Sequence, residues 1–330
     1  MTVVICMVTN MYPTEEQPGF GAFVKSQIDS IAAEGHEVSL LLIGGRASAW
    51  NYAAAIGRLR DMLNEKHFDI VHAHYGLSGL VACMQRACPV VVSFCGDDLL
   101  GTSNGRGGVT FKSRGIVWVD QLVALRADGV IVKSQKMRPR LRFASAREKA
   151  VVIPNGVDFG LFRPIDREIA RKELGLPRDK RYVLFPSMPR EPRKRVDLAR
   201  DAVEVLKNDH PAAELLVLDK KPQREVPVYM GACDAMILTS DWEGSANVVK
   251  EAMACNLPVV SVDAGDAWEI IAGTAHCYEA KRDPNDLAAK LGQVLSAGER
   301  STGRDRIEHL ELSAVARRVV GVYEAVLTKG

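Results

Sequence analysis

Short runs of β-branched and other apolar residues alternate along the chain with longer segments whose apolar positions recur at helical spacing. Alternation of this kind is typical of βα units that build parallel sheets. In the N-terminal half the pattern predicts helices at Gly21–Glu34, Ala53–Lys66, Leu77–Arg86 and Ile116–Arg126. Strands are predicted around them at Val3–Val8, Glu37–Ile43, Ile70–Ala73, Val90–Phe94, Gly129–Val132 and Ala150–Ile153.

A turn-rich segment that ends with Phe159–Pro164 interrupts this pattern, and the alternation then restarts. Clustered Gly, Pro, Asn and Asp favour a break between domains, so we expect a hinge there. The second block predicts helices at Val196–Lys207 and Ala246–Cys255, and a final amphipathic helix at Leu312–Leu327. Its predicted strands are Tyr182–Phe185, Glu214–Leu218, Ala235–Leu238 and Val259–Val262.

The predicted fold class is therefore α/β, with two Rossmann-like domains that face a cleft. We assign residues 1–158 to an N-terminal domain and residues 159–311 to a C-terminal domain. Residues 312–330 would form a helix that packs back on the N-terminal domain. Ligands of doubly wound sheets bind at the carboxyl ends of the strands, so we expect the functional site in the cleft.

Composition agrees with a globular protein of two domains. The chain has 330 residues, of which 47% are hydrophobic and 25% charged, enough for two separate cores. The apolar N-terminus has no basic segment of the kind that begins a signal peptide and is interpreted as a buried strand. Seven scattered cysteines without CxxC spacing favour free thiols in a reducing, cytoplasmic compartment.

Charge is unevenly distributed. The net charge of +2 gives no support to a nucleic-acid partner,. Between Lys112 and Lys149, however, ten Lys or Arg residues stand against three Asp or Glu. Within this stretch Lys136–Phe143 mixes cations with apolar residues, which suits an anionic bilayer surface. The alternative interpretation is a solvated basic turn that is broken by Pro139.

The most informative segment follows the predicted strand at Ala235–Leu238. A polar loop carries Glu243 and opens a helix near Ala246, for which Ser245 is the predicted N-cap,. Exposed amide N–H groups at a helix start, together with the helix dipole, bind a diphosphate. Glu251 lies about one turn into that helix and can reach the same pocket, where a carboxylate accepts hydrogen bonds from vicinal hydroxyls.

In this segment the chain resembles family 4 of the retaining GT-B glycosyltransferases. Their E-x7-E motif and the EAMACG-x-PVV run after it are similar to Glu243-x7-Glu251 and EAMACNLPVV here. Further similar segments occur in the same order: PGFGAFV from Pro18, EGHEV from Glu34, HAH from His72 and VIPNGVD from Val152. The resemblance thus covers nearly the whole chain.

The resemblance implies a role for each matching position. Glu243 would hold hydroxyls of the donor sugar, and Glu251 the ribose of the nucleotide. The basic segment that follows the predicted strand Tyr182–Phe185 would neutralise the departing diphosphate. In it Lys194 aligns with the family's lysine, whereas Arg190 and Arg193 both remain candidates for the family's arginine. The remaining donor contacts would come from Gly244, Ser245, Ala246, Asn247, Gly19, Gly21 and Gly265.

One motif departs from the family. Where the family commonly has H-G-x-D, this chain has Cys95-Gly96-Asp97-Asp98, so that Asp98 aligns with the motif aspartate and joins the predicted catalytic group. The imidazole contact of the family histidine is missing. Because a thiol is only a weak donor, we interpret Cys95 as a packing residue.

These features predict a metal-independent reaction. No two aspartates are separated by a single residue, so the D-x-D signature of a diphosphate-bound metal is absent, and cations with a helix N-terminus must stabilise the leaving charge. The resemblance further implies a retaining, cofactor-free transfer of a hexose-type sugar from a nucleotide-diphosphate donor of unknown base. It places this donor on the C-terminal domain, residues 159–311, and the acceptor on the side of the N-terminal domain, residues 1–158. The acceptor would be a saccharide or a lipid-linked saccharide in cell-surface glycan biosynthesis, reached from the inner face of the membrane.

Three other functions share some of these features. A dehydrogenase is rejected because the N-terminal loop has Gly19-x-Gly21 without a third glycine and begins ten residues after its strand,. A sugar-nucleotide epimerase on the same fold remains an alternative, as does a subunit that binds the donor without catalysis. Cys95 favours the latter alternative, and the intact pair of glutamates counts against it.

Overall fold

The structure is a computed structural model that describes residues 2–44, 48–102, 108–187, 190–219 and 221–328. It divides into two compact units, each built around one parallel sheet. The first consists of Met1–Glu16, Phe20–Gly156 and Leu312–Gly330, and the second of Gln17–Gly19 and Val157–Glu311. The prediction of an α/β protein with two Rossmann-like domains is confirmed.

The first unit contains a six-stranded sheet in the order β2-β1-β3-β4-β5-β6, in which every neighbouring pair is parallel. Helices connect successive strands. The elements in chain order are β1 (Val4–Thr9), α1 (Ala22–Ala33), β2 (Glu37–Leu42), α2 (Ala49–Glu65), β3 (Ile70–His74), α3 (Gly76–Ala82), β4 (Val90–Phe94), α4 (Asp97–Leu100), α5 (Phe111–Arg126), β5 (Gly129–Val132), α6 (Ala144–Glu148) and β6 (Ala150–Val152).

The second unit contains a five-stranded parallel sheet in the order β11-β10-β9-β7-β8. The order shows that the chain adds β8 on one side of β7 and later adds β9, β10 and β11 on the other. Its elements are α7 (Arg167–Leu174), β7 (Arg181–Phe185), α8 (Val196–Leu206), β8 (Ala213–Val217), α9 (Val226–Ala232), β9 (Ala235–Leu238), α10 (Asn247–Ala254), β10 (Val259–Val262), α11 (Ala267–Ile271), β11 (Tyr278–Ala280), α12 (Pro284–Ala297) and α13 (Gly303–Arg306).

Strand β1 is apolar from Val4 to Val8. Strands of parallel sheets have such continuous apolar runs because helices cover both faces of the sheet. Alternate side chains of β1 enter different cores: Cys6 and Val8 join one buried cluster, and Ile5 and Met7 join another on the opposite face. A strand exposed on one face would have needed polar residues at every second position.

The final helix, α14 (Leu312–Leu327), packs on the first sheet. Its residues Val315, Val319 and Tyr323 are buried in the same cluster as Ile5 and Met7. These positions recur at spacings of four, which places them on one helical face. The hydrophobic stripe read from the sequence therefore supplies part of the core of the first unit.

The turn-rich segment near Phe159 belongs to the second unit. Arg304 donates hydrogen bonds to the carbonyl oxygens of Phe159 and Phe162, at 3.0 and 2.7 Å. Its guanidinium also lies 4.2 Å from the centre of the Phe159 ring. Arg304 thereby fixes the first residues of the predicted hinge to the second unit.

Six elements of the second unit had no counterpart in the predicted pattern: the strand β11 and the helices α7, α9, α11, α12 and α13. The edge strand β11 has only three residues, too few to show an apolar alternation. Helix α12 carried ordinary end signals: Asp283 accepts a hydrogen bond from the amide of Asp286, and Gly298 closes the helix in the left-handed conformation,. Among the described residues, no helix is long and apolar enough to cross a membrane.

His72, in the middle of β3, is fully buried and ties α14 to the sheet. Its Nδ1 lies 2.6 Å from the Tyr323 hydroxyl and its Nε2 lies 2.9 Å from the Ser93 hydroxyl. Burial, reinforced by the charge of Lys133, lowers the pKa of His72 to about 3. The ring is therefore neutral, with one donor and one acceptor nitrogen.

We predict that Tyr323→Phe destabilises the first unit. The substitution keeps the ring but leaves His72 Nδ1 buried without a partner, at a cost of about 1–3 kcal/mol. Urea unfolding followed by circular dichroism checks it. An unchanged midpoint would show that the Tyr323 hydroxyl contributes nothing to the packing of α14.

Candidate active site

The two predicted donor-binding segments emerge at one edge of the second sheet. From β7 the chain continues to β8 on one side of the sheet, and it returns to β9 on the other side. The topological switch point therefore lies between the adjacent strands β7 and β9. Ligands of open parallel sheets bind at such a point, beside the carboxyl ends of the strands. The chain that follows β7 carries Arg193 and Lys194, and the chain that follows β9 carries Glu243.

Glu243 is held by both cations. Its carboxylate accepts hydrogen bonds from Arg193 Nη1 at 2.9 Å and from Lys194 Nζ at 2.6 Å, and the same Nη1 donates to the carbonyl oxygen of Trp242 at 2.8 Å. Only 9% of Glu243 is exposed. Burial raises the pKa of Glu243, but Lys194 and Arg193 outweigh that effect and lower it to about 2. The carboxylate is therefore ionised at physiological pH.

Backbone contacts fix the cationic segment against the loop after β9. The Thr239 hydroxyl lies 2.9 Å from the carbonyl oxygens of both Lys194 and Arg195. The amide of Asp241 donates to the carbonyl oxygen of Arg193 at 2.9 Å. Arg195 adopts the left-handed conformation, with φ of 52°, as the chain turns into α8. The position of the cations is thus set by the main chain on both sides.

Ser245 does not cap α10, so the prediction of an N-cap there was wrong. The capping position is Ala246, which has no side-chain hydrogen bond. Ser245 instead donates to Asp266 Oδ2 at 2.6 Å, while the amide of Ala246 donates to Asp266 Oδ1 at 2.7 Å. Asp266, which follows β10, accepts hydrogen bonds from the Ser245 hydroxyl and from the Ala246 amide together. It therefore holds the Ser245 side chain in place of the backbone amides of α10.

A buried lysine completes this network. Lys250 in α10 has no exposed surface, and its Nζ donates to the Ser245 hydroxyl at 2.6 Å and to Asn247 Oδ1 at 3.3 Å. The cation therefore lies beside the first turn of α10, where it adds to the positive end of the helix dipole. Lys250 and Asp266 together set the path of the loop from Gly244 to Asn247.

Gly265 is required where it stands. Its φ of +60° is in the left-handed region, and a Cβ there would lie 2.8 Å from the carbonyl oxygen of Glu243 and 3.0 Å from its Cβ. The chain after β10 therefore lies directly against the main chain of Glu243. Any larger residue would have to displace Glu243 or move away from it.

Glu251 has a different protonation state. It lies half-buried in α10, and burial raises its pKa to about 7, although a hydrogen bond with Gln223 and the charge of Lys250 act in the other direction. Near neutral pH the group is thus poised between the acid and the carboxylate. The two glutamates of the motif differ because, among the described residues, Glu243 has two direct cationic partners and Glu251 forms no ion pair.

Other predicted residues lie outside this group. Arg190 is exposed, whereas Arg193 contacts Glu243. Asp98 belongs to the first unit, is fully buried and accepts backbone amide hydrogen bonds from Cys95, Gly96 and Leu99 at 2.7, 2.8 and 3.1 Å. Burial raises the pKa of Asp98 to about 6. The structure thus shows Asp98 organising the loop after β4.

Cys95 lies in that loop. Its thiol donates to the carbonyl oxygen of Ser93 at 3.5 Å, and burial is the main cause that raises its pKa to about 12. The thiol is therefore protonated and unreactive at neutral pH.

The two glycines of the N-terminal loop differ. Gly21 caps α1 with φ of +69°, and a Cβ there would lie 2.4 Å from the backbone carbon of Met11. A Cβ on Gly19 would meet nothing within 4 Å. Packing therefore explains why position 21 is a glycine, but it does not explain the glycine at position 19.

Lys250 and the role of Asp266 were missed by sequence reasoning. A signal for Lys250 was present, since it stands with Ala246, Val249 and Met253 on the face of α10 that the core buries. A lysine on a buried helix face needs a polar partner, and that requirement would have pointed to the neighbouring loop.

The assembled group can bind an anion and polar hydroxyls side by side. It offers the cations of Lys194 and Arg193, the start of α10 and one permanently ionised carboxylate. Within the residues that the structure describes, no three His, Cys, Asp or Glu side chains form a group suited to a metal ion.

We predict that Gly265→Ala lowers the free energy of unfolding by about 2–4 kcal/mol, because it adds a backbone clash to the cost of the left-handed conformation. Gly175→Ala is the matched control. Gly175 has a similar φ of +65°, but a Cβ there would meet nothing within 4 Å. Urea unfolding compares the two variants, and equal losses would refute the proposed contact with Glu243.

Comparison with known proteins relates both units to glycosyltransferases. A family model described as "Glycosyl transferase 4-like domain" matches residues 29–156, and one described as "Glycosyl transferases group 1" matches residues 217–297. The D-inositol 3-phosphate glycosyltransferase of Geodermatophilus obscurus is 27% identical over 312 residues, an alignment that covers 82% of this chain and 67% of the relative.

Solved structures share the fold. Sucrose-phosphate synthase from Thermosynechococcus elongatus superposes with a TM-score of 0.79 at 17% identity, over all of both chains. Anabaena Alr3699/HepE in complex with UDP has a TM-score of 0.72 at 18% identity, over 98% of this chain and all of that one. With glycosyltransferase models matching both units and a shared two-sheet fold, the chain is a GT-B glycosyltransferase of the family 4 type.

Proposed function

We propose that the protein binds a nucleotide-diphosphate sugar at the switch point of the second sheet. From that donor it would transfer a hexose-type sugar, with retention of configuration and without a metal ion. The observation that carries this proposal is the ionised Glu243 between Lys194 and Arg193, beside the start of α10. The combination matches an activated sugar, which has hydroxyl groups on one side and a diphosphate on the other.

Each group has a role in this proposal. In the free protein the two cations neutralise Glu243. When the donor binds, Lys194 and Arg193 turn to the diphosphate, and Glu243 accepts hydrogen bonds from sugar hydroxyls. Arg193 rather than Arg190 would be the phosphate arginine, because only Arg193 lies against Glu243 in the structure. Glu251 would hold the ribose.

The start of α10 would bind the other side of the diphosphate. Amides of residues 244–247 would donate to the diphosphate once it displaces the contacts that the amides of Ala246 and Asn247 make with Asp266 and with the carbonyl oxygen of Ser245. The nearby cation of Lys250 strengthens the positive potential there. Gly265 lets the loop after β10 lie against Glu243. Gly19 and Gly21 of the N-terminal loop remain predicted donor contacts, and Asp98 remains a predicted catalytic residue that would act by shaping the loop after β4.

The proposed reaction is a front-face displacement. The bond between the anomeric carbon and the diphosphate oxygen breaks, and the acceptor oxygen forms its bond on the same face. The departing phosphate oxygen takes the proton of the acceptor hydroxyl. The cations stabilise the negative charge that collects on the diphosphate, which is the role that a metal ion has in other enzymes.

The acceptor would be a saccharide or a lipid-linked saccharide of a cell-surface glycan, reached from the cytoplasmic side by peripheral contact of Lys136–Phe143 with the membrane. An inositol phosphate is a second candidate, because the named relatives include D-inositol 3-phosphate glycosyltransferases. The surplus of cations between Lys112 and Lys149 suits an inositol phosphate or a saccharide linked to lipid through phosphate,.

A panel of nucleotide sugars, incubated with both kinds of acceptor in the presence of EDTA, tests the function. UDP sugars come first, because the structurally similar HepE binds UDP. We expect transfer to persist in EDTA and proton NMR to show the anomeric configuration of the donor in the product. Inversion, or activity that returns only with added metal, would contradict the mechanism. Epimerised donor without transfer would favour an epimerase, and donor binding without turnover a non-catalytic subunit.

The raised pKa of Glu251 predicts a pH dependence of donor binding. An ionised carboxylate accepts two hydroxyl hydrogen bonds, so affinity should rise about tenfold between about pH 6 and about pH 8 as the proton leaves. The phosphates of a nucleotide sugar do not titrate in this range. Calorimetry should show the rise in the native protein and in Glu204→Gln, a control on the surface of α8, and no rise in Glu251→Gln.

A further inference from the structure

Helix α5 presents an apolar stripe to solvent. The exposed fractions of its side chains are 88% for Phe111, 50% for Trp118, 55% for Leu122 and 43% for Leu125. The spacings of seven, four and three residues place all four on one helical face. A helix on the surface of a soluble protein normally has polar residues there.

Basic residues are fixed beside this stripe. The guanidinium of Arg142 lies 4.6 Å from the centre of the Trp118 ring, in a cation–π contact,. The buried side chain of Gln121 anchors the segment to α5, since its Nε2 donates to the carbonyl oxygen of Arg140 at 3.1 Å and its Oε1 accepts from the Arg142 amide at 2.8 Å. The basic segment and the apolar stripe therefore form one surface.

The exposed charge of the stretch from Lys112 to Lys149 is mainly positive, with seven exposed cations against the exposed Asp128 and Glu148. Of the three acidic residues between Lys112 and Lys149, Asp120 is fully buried, and burial raises its pKa to about 9. The exposed cations of this stretch are Lys112, Arg114, Arg126, Lys136, Arg138, Arg140 and Arg142. A surface of this composition attracts an anionic partner and repels a second copy of itself.

We propose that the α5 surface, defined as the apolar stripe with Arg138, Arg140 and Arg142, docks on an anionic lipid bilayer. The stripe would enter the boundary between headgroups and acyl chains, and the arginines would contact the lipid phosphates. Aromatic and cationic side chains are the residues that membrane interfaces favour. The two components are complementary, because neither a few apolar residues nor a few cations alone give firm attachment.

The topology links this surface to the chemistry. Helix α5 follows β4 and precedes β5, so its first residue, Phe111, lies toward the carboxyl edge of the first sheet. Binding sites of parallel sheets lie at that edge. Docking would bring it near the headgroups, where a lipid-linked acceptor is found. This inference rests on the proposed function only for that choice of acceptor.

Vesicle flotation tests the proposal with the full-length protein. We expect the native protein to float with vesicles of phosphatidylcholine and phosphatidylglycerol at low salt, to float less at high salt, and to stay behind with phosphatidylcholine alone. The pair Trp118→Ser and Leu122→Ser should lower the partition coefficient about tenfold. Replacement of the three arginines by glutamine should lower it on the order of a hundredfold.

Trp50→Ser is the matched control, because Trp50 on α2 is 83% exposed but lies outside the α5 surface. Its partition coefficient should equal that of the native protein. Circular dichroism and the thermal shift caused by the donor verify that every variant is folded and binds donor. These two readouts separate a failure of docking from a failure of the proposed function.

Two results would overturn the proposal. One is native protein that does not float with anionic vesicles although it still binds donor. The other is a dimer detected by light scattering without vesicles and lost in the Trp118→Ser, Leu122→Ser variant, which would assign the stripe to a second copy of the chain.

Discussion

The organisation of the candidate site depends on one interaction, the ion pair of Glu243 with Lys194 and Arg193 across the gap between β7 and β9. Removing the two cations would leave a carboxylate buried without charge compensation, which proteins do not tolerate cheaply. The pair therefore joins the loops that follow these strands. Gly265 adds the loop after β10, since its missing side chain lets the main chain approach Glu243. Three consecutive strand ends of the second sheet thus converge on one carboxylate.

The two glutamates of the motif differ in protonation because the charges and the burial around their carboxyl groups differ. Direct cations keep Glu243 ionised, with a pKa of about 2, whereas burial raises the pKa of Glu251 to about 7. Lys250 affects both the protonation of Glu251 and the loop at the start of α10. It weakens the rise in the pKa of Glu251, and through Ser245 it supports the loop at the start of α10. Positive charge at the helix start is consequently built from the main chain and from a buried side chain together.

The sequence predicted most strands and the fold class, because strands buried on both faces are continuous apolar runs such as those of β1 and β9. It did not predict β11, whose three residues carry too little pattern. For the site, the motifs assigned Glu243 and Lys194 to one donor pocket but not to an ion pair. They also left Arg190 and Arg193 open, since spacing alone does not show which side chain a turn directs inward. The cap at Ser245 was predicted wrongly because Asp266, distant in sequence, offered a better hydrogen-bond partner. Such competition is visible only in three dimensions.

The most direct test compares the affinity of Glu243→Gln and of the native protein for a nucleotide sugar and for the corresponding nucleoside diphosphate, by calorimetry. If Glu243 holds the sugar, the substitution weakens binding of the nucleotide sugar roughly tenfold to a hundredfold. Binding of the nucleoside diphosphate should not weaken, because Lys194 and Arg193 lose a competing anion. Equal loss for both ligands, or no loss for either, would contradict the account.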